Sequence, residues 1–440
     1  MKILILCPNF TPIETARAFR WQAIVSYLAK DHEVSIVCAN ASSALSNEVK
    51  GNLHIYRRGY NNLMDVVYHF LNISARRDRP NTFSTTSKSN SKLSLPLIKF
   101  IKRLNQLFWH GLYWPDGSWI WYFPALRMAK RLLKKQQFDL IISVSLPFTA
   151  HLVGLKVKET YPEIPWLVDI GDPFSFHELA PRNNTKLYNK LNYRMEKKVL
   201  SKADGISLTV ASALTAYQAH FPMISHKTKI ISPVFIPPSN VAQSTIQFNQ
   251  QKINLCYFGS FYQNIRTPSG FLALLTAVKK QDASFLEDIV IHFFGHIEPE
   301  IKQIFDAFPA LHAYINIHGL QAKTTLPSLI EQADVLINIS NQTSFQIPSK
   351  IGEYVYSKKP IINISPIEND AFAAALQEHP LLLHLHISDQ SISKEQINQF
   401  IRFVKEHQNS LLAQNQMEQL FASFSIQHVA NAYLEMLSYQ

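Results

Sequence analysis

The order of apolar runs and amphipathic segments constrains the fold of this chain more than any other feature. Apolar runs with the length and composition of buried strands alternate with stretches of helical periodicity. In the first half of the chain these runs cover residues 2–7, 32–39, 138–144, 166–169 and 205–209. The alternation then restarts, with runs at residues 253–258, 289–294, 315–318, 333–339 and 361–364. Such strands, separated by helices, are typical of parallel sheets covered on both faces. The sequence therefore predicts an α/β chain with two Rossmann-like, doubly wound domains facing a cleft.

The length and one polar stretch predict where the two domains meet. At 440 residues the chain exceeds the roughly 250–300 residues at which single hydrophobic cores stop growing. A proline-rich stretch at 232–238, followed by a Gln/Ser/Asn-rich stretch to residue 251, predicts an interdomain linker. We therefore predict an N-terminal domain over 1–240 and a C-terminal domain over 251–413.

Composition and charge limit the classes of partner. With 47% hydrophobic and 17% charged residues, the chain is globular and not disordered. Its net charge of +11 favours anionic partners such as phosphorylated ligands, acidic lipid surfaces or nucleic acid. Nucleic acid is the weakest of these options, because the charge is diffuse and no nucleic-acid-binding motif accompanies it.

Cysteine usage and motif absences predict the compartment and the cofactors. The three cysteines Cys7, Cys38 and Cys256 lie in apolar runs, which favours a reducing compartment without disulfides. No CxxC or HExxH motif supports a metal site, so neither a metal nor another cofactor is expected. No apolar run reaches the roughly 18 residues that a spanning helix needs. The predicted location is cytoplasmic, in solution or peripheral on the inner membrane face.

An insertion at 75–123 interrupts the first domain. Its first part is rich in Ser, Thr, Asn and Lys, and its second part, 97–123, interleaves basic residues with aromatic ones. Basic and aromatic residues on a short helix are typical of contact with an anionic membrane surface. The alternative is that these aromatics pack into the core of the N-terminal domain.

Residues 347–354 are the strongest local candidate for a site. They connect two buried strands, so they lie at the carboxyl end of a strand, where ligands of α/β sheets bind. Ser349 is the predicted N-cap of a short helix, and Lys350 adds a cation beside free backbone amides. Glu353, one turn further, is placed to reach a sugar hydroxyl. The alternative is an ordinary capped helix with solvated Lys and Glu side chains.

The loop after the first strand gives a weaker signal. It lacks the G-x-G-x-x-G fingerprint, so a standard dinucleotide site is not expected there. Arg17 and Arg20 stand at helical spacing after that loop. They either face the cleft or are simply solvated.

Several segments, taken in order, resemble the retaining glycosyltransferase family 4, a group with the GT-B fold. The segments are 138–154, 165–174, 257–268 and 348–362. The resemblance implies a nucleotide sugar bound mainly by the C-terminal domain and an acceptor bound mainly by the N-terminal domain. It also implies that the segment 414–440 forms a closing helix that crosses back onto the N-terminal domain.

The resemblance also implies roles for individual residues. Glu353 would hold the donor ribose, Arg266 and the amides near Lys350 would neutralise the diphosphate, and Asp169 or Asp172 would face the reacting centre. The implied catalytic residues are Asp169, Asp172, Arg266 and Lys350. The implied donor-binding residues are Gly259, Ser260, Arg266, Gly295, His318, Gly319, Leu320, Pro348, Ser349, Lys350 and Glu353.

Two positions depart from the family pattern. The first of the two glutamates that the family often carries, eight positions before Glu353, is Phe345 here, with Gln346 beside it. The Lys that often follows the phosphate-loop Arg is also absent after Arg266, and Lys350 is its expected replacement.

The predicted function is therefore metal-independent, retaining transfer of a sugar from a UDP-, GDP- or dTDP-linked donor to a glycan. A lipid-linked acceptor in bacterial capsule, O-antigen or exopolysaccharide synthesis fits the basic, aromatic segment 97–123. The alternatives are a sugar-nucleotide 2-epimerase and a non-catalytic subunit with the GT-B shape. The missing first glutamate favours the latter.

Overall fold

The computed structural model describes residues 1–13, 15–40, 46–70, 110–177, 179–238, 240–388 and 391–437. The chain forms two compact units. Unit 1 comprises Met1–Ser232 together with Ile426–Gln440, and unit 2 comprises Pro233–Ser425. Each unit is a largely parallel sheet flanked by helices.

Unit 1 contains an eight-stranded sheet in the order β3-β4-β2-β1-β5-β6-β7-β8. All neighbours are parallel except β3 and β4, which pair antiparallel at the edge. The strands are β1 Lys2–Leu6, β2 Glu33–Cys38, β3 Asn47–Lys50, β4 Leu53–Arg57, β5 Leu140–Val144, β6 Trp166–Asp169, β7 Gly205–Leu208 and β8 Thr228–Ile230.

Helices cover both faces of this sheet. They are α1 Ala16–Leu28, α2 Leu63–Phe70, α3 His110–Leu112, α4 Tyr122–Lys135, α5 Thr149–Thr160, α6 Thr185–Lys202, α7 Ala211–His220 and, near the end of the chain, α16 Ile426–Glu435. Helix α16 packs against α1. On the core side of α5, Gly154 lies against the buried indole of Trp166, where an added Cβ would stand 2.6 Å from Nε1. Only glycine allows this approach of helix to strand.

Unit 2 contains a six-stranded parallel sheet in the order β11-β10-β9-β12-β13-β14. The strands are β9 Ile253–Phe258, β10 Ile289–Phe294, β11 Ile315–Gly319, β12 Val335–Ile339, β13 Ile361–Ser365 and β14 Leu382–His386. The helices are α8 Ser269–Gln281, α9 Ala283–Glu287, α10 Pro299–Asp306, α11 Leu326–Gln332, α12 Ile351–Tyr356, α13 Ala371–Ala375, α14 Lys394–His407 and α15 Gln414–Phe421. Two apolar clusters form its core: Phe271 and Phe400 belong to one, and Phe258 and Leu329 to the other.

The stretch predicted as a linker belongs to unit 2. The backbone N–H of Phe235 donates to the carbonyl of Phe424 at 3.0 Å, and its ring packs against Tyr356. Further along, Phe248 is buried and stacks on His292. Apolar residues within a polar stretch anchor it, so the unit boundary falls at Pro233 and not at 240–251.

The closing segment, predicted as one helix over 414–440, is divided into two helices. Helix α15 ends at Phe421, a 3₁₀ turn covers Ala422–Phe424, and α16 begins at Ile426. Helix α15 packs against α12 in unit 2, whereas α16 belongs to unit 1. The extended Ser425, with ψ 144°, separates them.

The basic, aromatic segment 97–123 lies partly outside the described residues, which resume at 110. In its described part the aromatics divide between two environments. Trp121 is fully buried and Trp114 donates to Asn192 Oδ1 at 3.0 Å, whereas Phe123 is 64% exposed. None of the described helices is long and apolar enough to cross a membrane.

Candidate functional site

Polar side chains collect in unit 2 at the carboxyl ends of β9 and β12, and Arg266 lies at the centre of this cluster. Its Nε and Nη2 donate to Asn341 Oδ1 at 3.0 and 2.7 Å, and its Nη1 donates to the Tyr257 hydroxyl at 3.3 Å. The backbone N–H of Gln342 donates to the carbonyl of Ile265 at 2.8 Å, which joins the two loops. The guanidinium is therefore held in one orientation.

The partners of Arg266 are neutral. Asn341 Nδ2 donates to Gln346 Oε1 at 3.0 Å, which turns Asn341 Oδ1 towards the guanidinium. Thr343 also donates to Gln346 Oε1, at 3.2 Å. Among the described residues no carboxylate forms an ion pair with Arg266. A guanidinium has five N–H groups, so the three bonds above leave two donors and the full positive charge for an anion.

Three glycines bring the backbones of the strand ends into close contact beside Arg266. Gly295 has φ +140°, and a Cβ there would stand 1.9 Å from the carbonyl oxygen of Gly259. A Cβ on Gly259 would stand 2.5 Å from the Tyr257 hydroxyl. Gly295 also donates to the carbonyl of Gly319 at 2.9 Å, and Ser260 Oγ accepts from the N–H of His296 at 3.2 Å. The sequence-predicted Gly259, Ser260, Gly295 and Gly319 are thus brought together.

His318 forms a half-buried aromatic surface next to Gly319. Its ring stacks on Phe294 with centroids 4.5 Å apart, and its Nε2 lies 2.9 Å from His292 Nδ1. Burial lowers the pKa of His292 to about 4 and also lowers the pKa of His318, so both rings are neutral near pH 7. Leu320, which follows, is 37% exposed. A flat, uncharged surface of this kind suits stacking of a planar ring.

The stretch 347–354 differs from its prediction in one respect. Helix α12 has Lys350 and not Ser349 at its N-cap position, and no side chain caps it. Ser349 instead lies in the turn that the Ile351 N–H closes by donating to the carbonyl of Pro348 at 3.2 Å. Lys350 Nζ lies 2.5 Å from Glu353 Oε2, so the two predicted site residues form an ion pair within the same turn.

Tyr354 anchors this turn to the strand ends. Its hydroxyl donates to the carbonyl of Ile337 at 2.9 Å and accepts from the N–H of Phe258 at 3.2 Å. Burial raises the pKa of Tyr354, so the hydroxyl keeps its proton. These two bonds link α12, which carries Glu353, to β9 and β12.

In unit 1, the predicted catalytic residue Asp169 is a buried carboxylate enclosed by hydrogen-bond donors. It is 1% exposed and accepts hydrogen bonds from the side chains of Trp21 (2.7 Å), Arg17 (2.7 Å), Ser207 (2.7 Å) and Tyr433 (2.9 Å). Burial alone would raise the pKa of Asp169, but Arg17 and Arg20 lower it below its usual value. These four hydrogen bonds occupy the lone pairs of the carboxylate, so none is left to accept from a reacting group.

The remaining predicted residues of unit 1 are also paired. Arg20 donates to the carbonyls of Ile231 at 3.1 Å and Ser232 at 2.5 Å, so it is neither solvated nor open to a ligand. Asp172 lies 2.7 Å from Arg182 and keeps 16% of its side chain exposed. Of the two aspartates, Asp172 alone retains some access to solvent.

Comparison with known proteins shows the fold. No family model matches this chain, and no curated protein matches its sequence. Solved structures do match it over nearly its whole length. Sucrose-phosphate synthase from Thermosynechococcus elongatus is 12% identical with a TM-score of 0.60, and the match covers 100% of this chain and 99% of that one.

Two further solved structures also match this chain over nearly its whole length. HepE of Anabaena, solved in complex with UDP, is 14% identical with a TM-score of 0.57, covering 100% of each chain. WaaG, a glycosyltransferase involved in lipopolysaccharide biosynthesis, is 10% identical with a TM-score of 0.52, covering 98% of this chain and 95% of that one. The fold is GT-B. This confirms the predicted fold class.

Within the GT-B fold of this chain, the site includes three residues that the sequence did not single out as site residues: Tyr257, Asn341 and Thr343. Tyr257 lies inside an apolar strand and Asn341 two positions after one, so neither carries a motif of its own. For Asn341 and Thr343 the available signal is that uncharged polar residues follow closely after a buried strand. Among the residues that the structure describes, no group of three or more His, Cys, Asp or Glu is placed to hold a metal ion.

Proposed function

We propose that this GT-B protein is a retaining glycosyltransferase that binds a nucleotide sugar in unit 2. The observation that carries the proposal is the state of Arg266. A cation held by neutral partners, with two N–H donors unused, stands beside closely packed glycine loops at the carboxyl ends of parallel strands. That arrangement suits a diphosphate, because its oxygens accept charge-assisted hydrogen bonds.

The chemistry follows from the charge that develops. When the glycosyl–phosphate bond breaks, negative charge builds on the departing nucleoside diphosphate, and a preorganised cation stabilises it without reorganising. Arg266 supplies that charge and the Ser260 N–H adds a donor, since the neighbouring Gly259 N–H already donates to the carbonyl of Phe294. No bound metal is required. The same-face attack that retention of configuration implies needs no protein nucleophile.

The other residues of the site would bind the rest of the donor. The flat surface of His318 with Gly319 and Leu320 would pack against the base. Glu353 would accept a hydrogen bond from a ribose hydroxyl, and its ion pair with Lys350 would orient it. UDP is the favoured nucleotide, because HepE, with the same fold, is solved with UDP and also with UDP and glucose.

For the acceptor, we propose a lipid-linked glycan in the synthesis of a bacterial surface polysaccharide such as capsule or lipopolysaccharide. The net charge of +11 and the basic segment 97–123 support work at an anionic inner membrane face. The similarity to WaaG, named for lipopolysaccharide biosynthesis, agrees with this class. A test would offer lipid-diphosphate-linked and free oligosaccharides with UDP-sugars and compare product formation; equal use of both would contradict the lipid-linked assignment.

The donor site is tested by binding. We expect UDP or a UDP-sugar to raise the melting temperature of the full chain, and EDTA to leave that shift unchanged. Arg266→Ala and Glu353→Ala should weaken binding, whereas Arg402→Ala, which removes an exposed cation on α14, should not. No stabilisation by any of the UDP-, GDP- or dTDP-linked sugars, or undiminished stabilisation of both site variants, would refute the assignment.

A second candidate is a non-catalytic nucleotide-binding subunit. It is favoured by the absence of the first glutamate, since Phe345 and Gln346 occupy that position and Gln346 Oε1 is already bonded to Asn341 and Thr343. This candidate predicts nucleotide binding without transfer, hydrolysis or epimerisation of any donor. Chromatography of the nucleotide products with and without acceptor distinguishes it from a transferase and from a 2-epimerase.

A further inference from the structure

A small cavity lies in unit 1, where helices α5 and α6 pack near the carboxyl end of β6. Its polar lining comes from Ser145, His151, Asp172 and Glu196, and the rest of its wall is apolar. The volume open to the centre of a water molecule is about 10 Å³, which is close to the smallest volume that holds one water. The cavity therefore has the size of a single small molecule.

One buried side chain of this lining has an unpaired ring nitrogen. His151 is 2% exposed, and its Nε2 has no hydrogen-bond partner among the residues that the structure describes. Its Nδ1, by contrast, lies 2.8 Å from Ser143 Oγ. A buried polar atom without a partner costs stability, so an unpaired nitrogen on the wall of a cavity indicates a ligand there.

The hydrogen bonds around Ser143 decide which ring nitrogen of His151 carries the proton. The indole N–H of Trp166 can only donate, and it donates to Ser143 Oγ at 2.9 Å. Ser143 is fully buried, and among the described residues His151 Nδ1 is the acceptor for its hydroxyl proton. Burial lowers the pKa of His151 to about 3, so the ring is neutral near pH 7 and carries its one proton on Nε2. His151 therefore offers the cavity an N–H donor.

Glu196 lines the same cavity, but its carboxylate is already saturated. Oε1 accepts from the N–H of Phe174 at 3.1 Å and from the Tyr217 hydroxyl at 2.8 Å. Oε2 accepts from the N–H and the hydroxyl of Ser175 at 2.9 and 2.5 Å. These four donors occupy the lone pairs of the carboxylate, so a molecule in the cavity must donate to other atoms.

Ser145 and Asp172 supply acceptor oxygens on the same lining. Ser145 Oγ donates to the carbonyl of Asp169 at 3.4 Å and accepts from the N–H of Gly171 at 3.2 Å, which leaves this oxygen one lone pair. Asp172, whose carboxylate accepts from Arg182 at 2.7 Å, adds further oxygens. The cavity thus combines one donor, on α5, with acceptors at the carboxyl ends of β5 and β6.

We propose that this cavity is a binding site for one ordered water molecule, which joins α5 to the loop after β6. The water accepts from His151 Nε2–H and donates to Ser145 Oγ and to an oxygen of Asp172. A buried water typically makes about three hydrogen bonds, and these partners supply them. Trp166, Ser143, His151 and the water then form one chain of hydrogen bonds from the start of β6 to the loop that follows its end.

A small cation is the competing occupant, because Asp172 and Glu196 both line the cavity. A metal ion or an ammonium ion has no lone pair to offer, so either would leave the N–H of His151 without an acceptor. The filled lone pairs of Glu196 also remove one of the two carboxylates as a ligand. Water both accepts and donates, and so it satisfies both sides of the cavity. The water site belongs to unit 1 and does not depend on nucleotide binding by unit 2.

A crystal structure of the full chain, at a resolution that shows ordered waters, tests the site directly. We expect one peak in the cavity, at hydrogen-bond distance of about 2.7–3.2 Å from His151 Nε2 and Ser145 Oγ. A cavity without electron density would overturn the proposal. A second crystal soaked in a rubidium salt tests the competing occupant, because an anomalous peak in the cavity would assign it to a cation instead.

Two variants test the role of His151 in holding the water. In His151→Phe the ring stays but the N–H is lost, so the peak should disappear, whereas His151→Gln keeps an N–H donor near the position of Nε2 and should retain it. An equally occupied water in His151→Phe would contradict the assignment. Nuclear magnetic resonance of the natural chain with ¹⁵N-labelled histidine needs no folded variant. It should show the His151 proton on Nε2 with a nuclear Overhauser effect to water, and a proton on Nδ1 would overturn the proposal.

Discussion

Asp169 in unit 1 and Arg266 in unit 2 both lie at the carboxyl ends of parallel strands, where α/β proteins place their ligands. Asp169 is 1% exposed and accepts from four side chains, including two basic or aromatic groups from α1 and one hydroxyl from α16. Arg266 is bonded only to neutral oxygens and keeps two donors. Their position at the strand ends therefore does not tell a buried structural group from a ligand-binding one. The two residues differ in their unused hydrogen-bonding capacity, which Arg266 has and Asp169 lacks.

The largest expected effect is on stability and concerns Asp169 in unit 1. Asp169→Asn should lower the free energy of unfolding of unit 1 by about 3–5 kcal/mol, because Arg17 and Arg20 would then lack their buried counter-charge. Denaturant unfolding followed by circular dichroism measures it, and the UDP affinity of the folded variant should not change. Asp172→Asn, whose pair with Arg182 is partly exposed, is the control and should cost about 1 kcal/mol or less. A stable but inactive Asp169→Asn protein would contradict this expectation and support a catalytic role for Asp169.

The next largest effect is on nucleotide affinity and concerns Arg266 in unit 2. Asn341→Asp keeps the size of the side chain but places a carboxylate against Arg266 Nε and Nη2. The new ion pair competes with the diphosphate, so the affinity for UDP should fall about 10- to 100-fold by titration calorimetry, whereas that for uridine should not change. Asn398→Asp adds the same charge on the exposed face of α14 and should leave both affinities unaltered. An equal loss for uridine and UDP would mean that Asn341 acts on the fold and not on the charge of Arg266.

A third prediction concerns how the stability of the protein depends on pH, and it involves a histidine of unit 1. Burial lowers the pKa of His151 from 6.5 to about 3; Asp169 opposes this shift and Arg17 adds to it. The unfolded chain therefore binds more protons than the folded chain between those values, so stability is lost as pH falls below about 6.5. From about pH 6.5 to about pH 5 this one group costs about 2 kcal/mol.

The substitution His151→Gln removes that titration. Its free energy of unfolding should be lower than that of the natural chain at pH 7 but should change less on acidification. Urea titrations at several pH values compare the slopes. Parallel slopes for the two proteins would show that other histidines, such as His292 and His379 in unit 2, account for the acid sensitivity.

The smallest expected effect concerns the ribose. Glu353→Gln should weaken UDP binding by about 1 kcal/mol, or roughly fivefold, because a neutral acceptor replaces a carboxylate. The loss should disappear for 2′,3′-dideoxyuridine diphosphate, which lacks the hydroxyls that Glu353 would hold. A loss of the same size for both nucleotides would show that Glu353 serves only its ion pair with Lys350.

The sequence predicted most of the two sheets because their central strands are apolar on both faces. It did not predict the edge strand β3, Asn47–Lys50, since three of its four residues are exposed and polar patterning gives no strand signal. Ser349 was predicted as an N-cap from its residue type, but the turn closed by Pro348 moves the start of α12 on to Ile351. Such boundaries depend on tertiary contacts that local propensity does not contain.

The candidate site was only partly predictable for a similar reason. The site glycines and Arg266 were predicted because they lie in segments that resemble the family. The neutral orientation of Arg266 depends on Asn341, which is 75 residues away in the chain and has no motif. The buried environment of Asp169 was not predictable, because no pattern in the sequence shows that α16 supplies one of its donors.

The return of the chain to unit 1 at Ile426 has a consequence for biosynthesis. Tyr433 closes the cluster around Asp169 and Arg20, yet it emerges from the ribosome only after all of unit 2 has been made. Until then, the nascent first unit carries a buried carboxylate and two arginines without their final partner. Unit 2 is contiguous and has its whole sequence earlier, so it can finish folding first. A truncation that removes Ile426–Glu435 would therefore damage unit 1, although most of unit 1 precedes unit 2 in the chain.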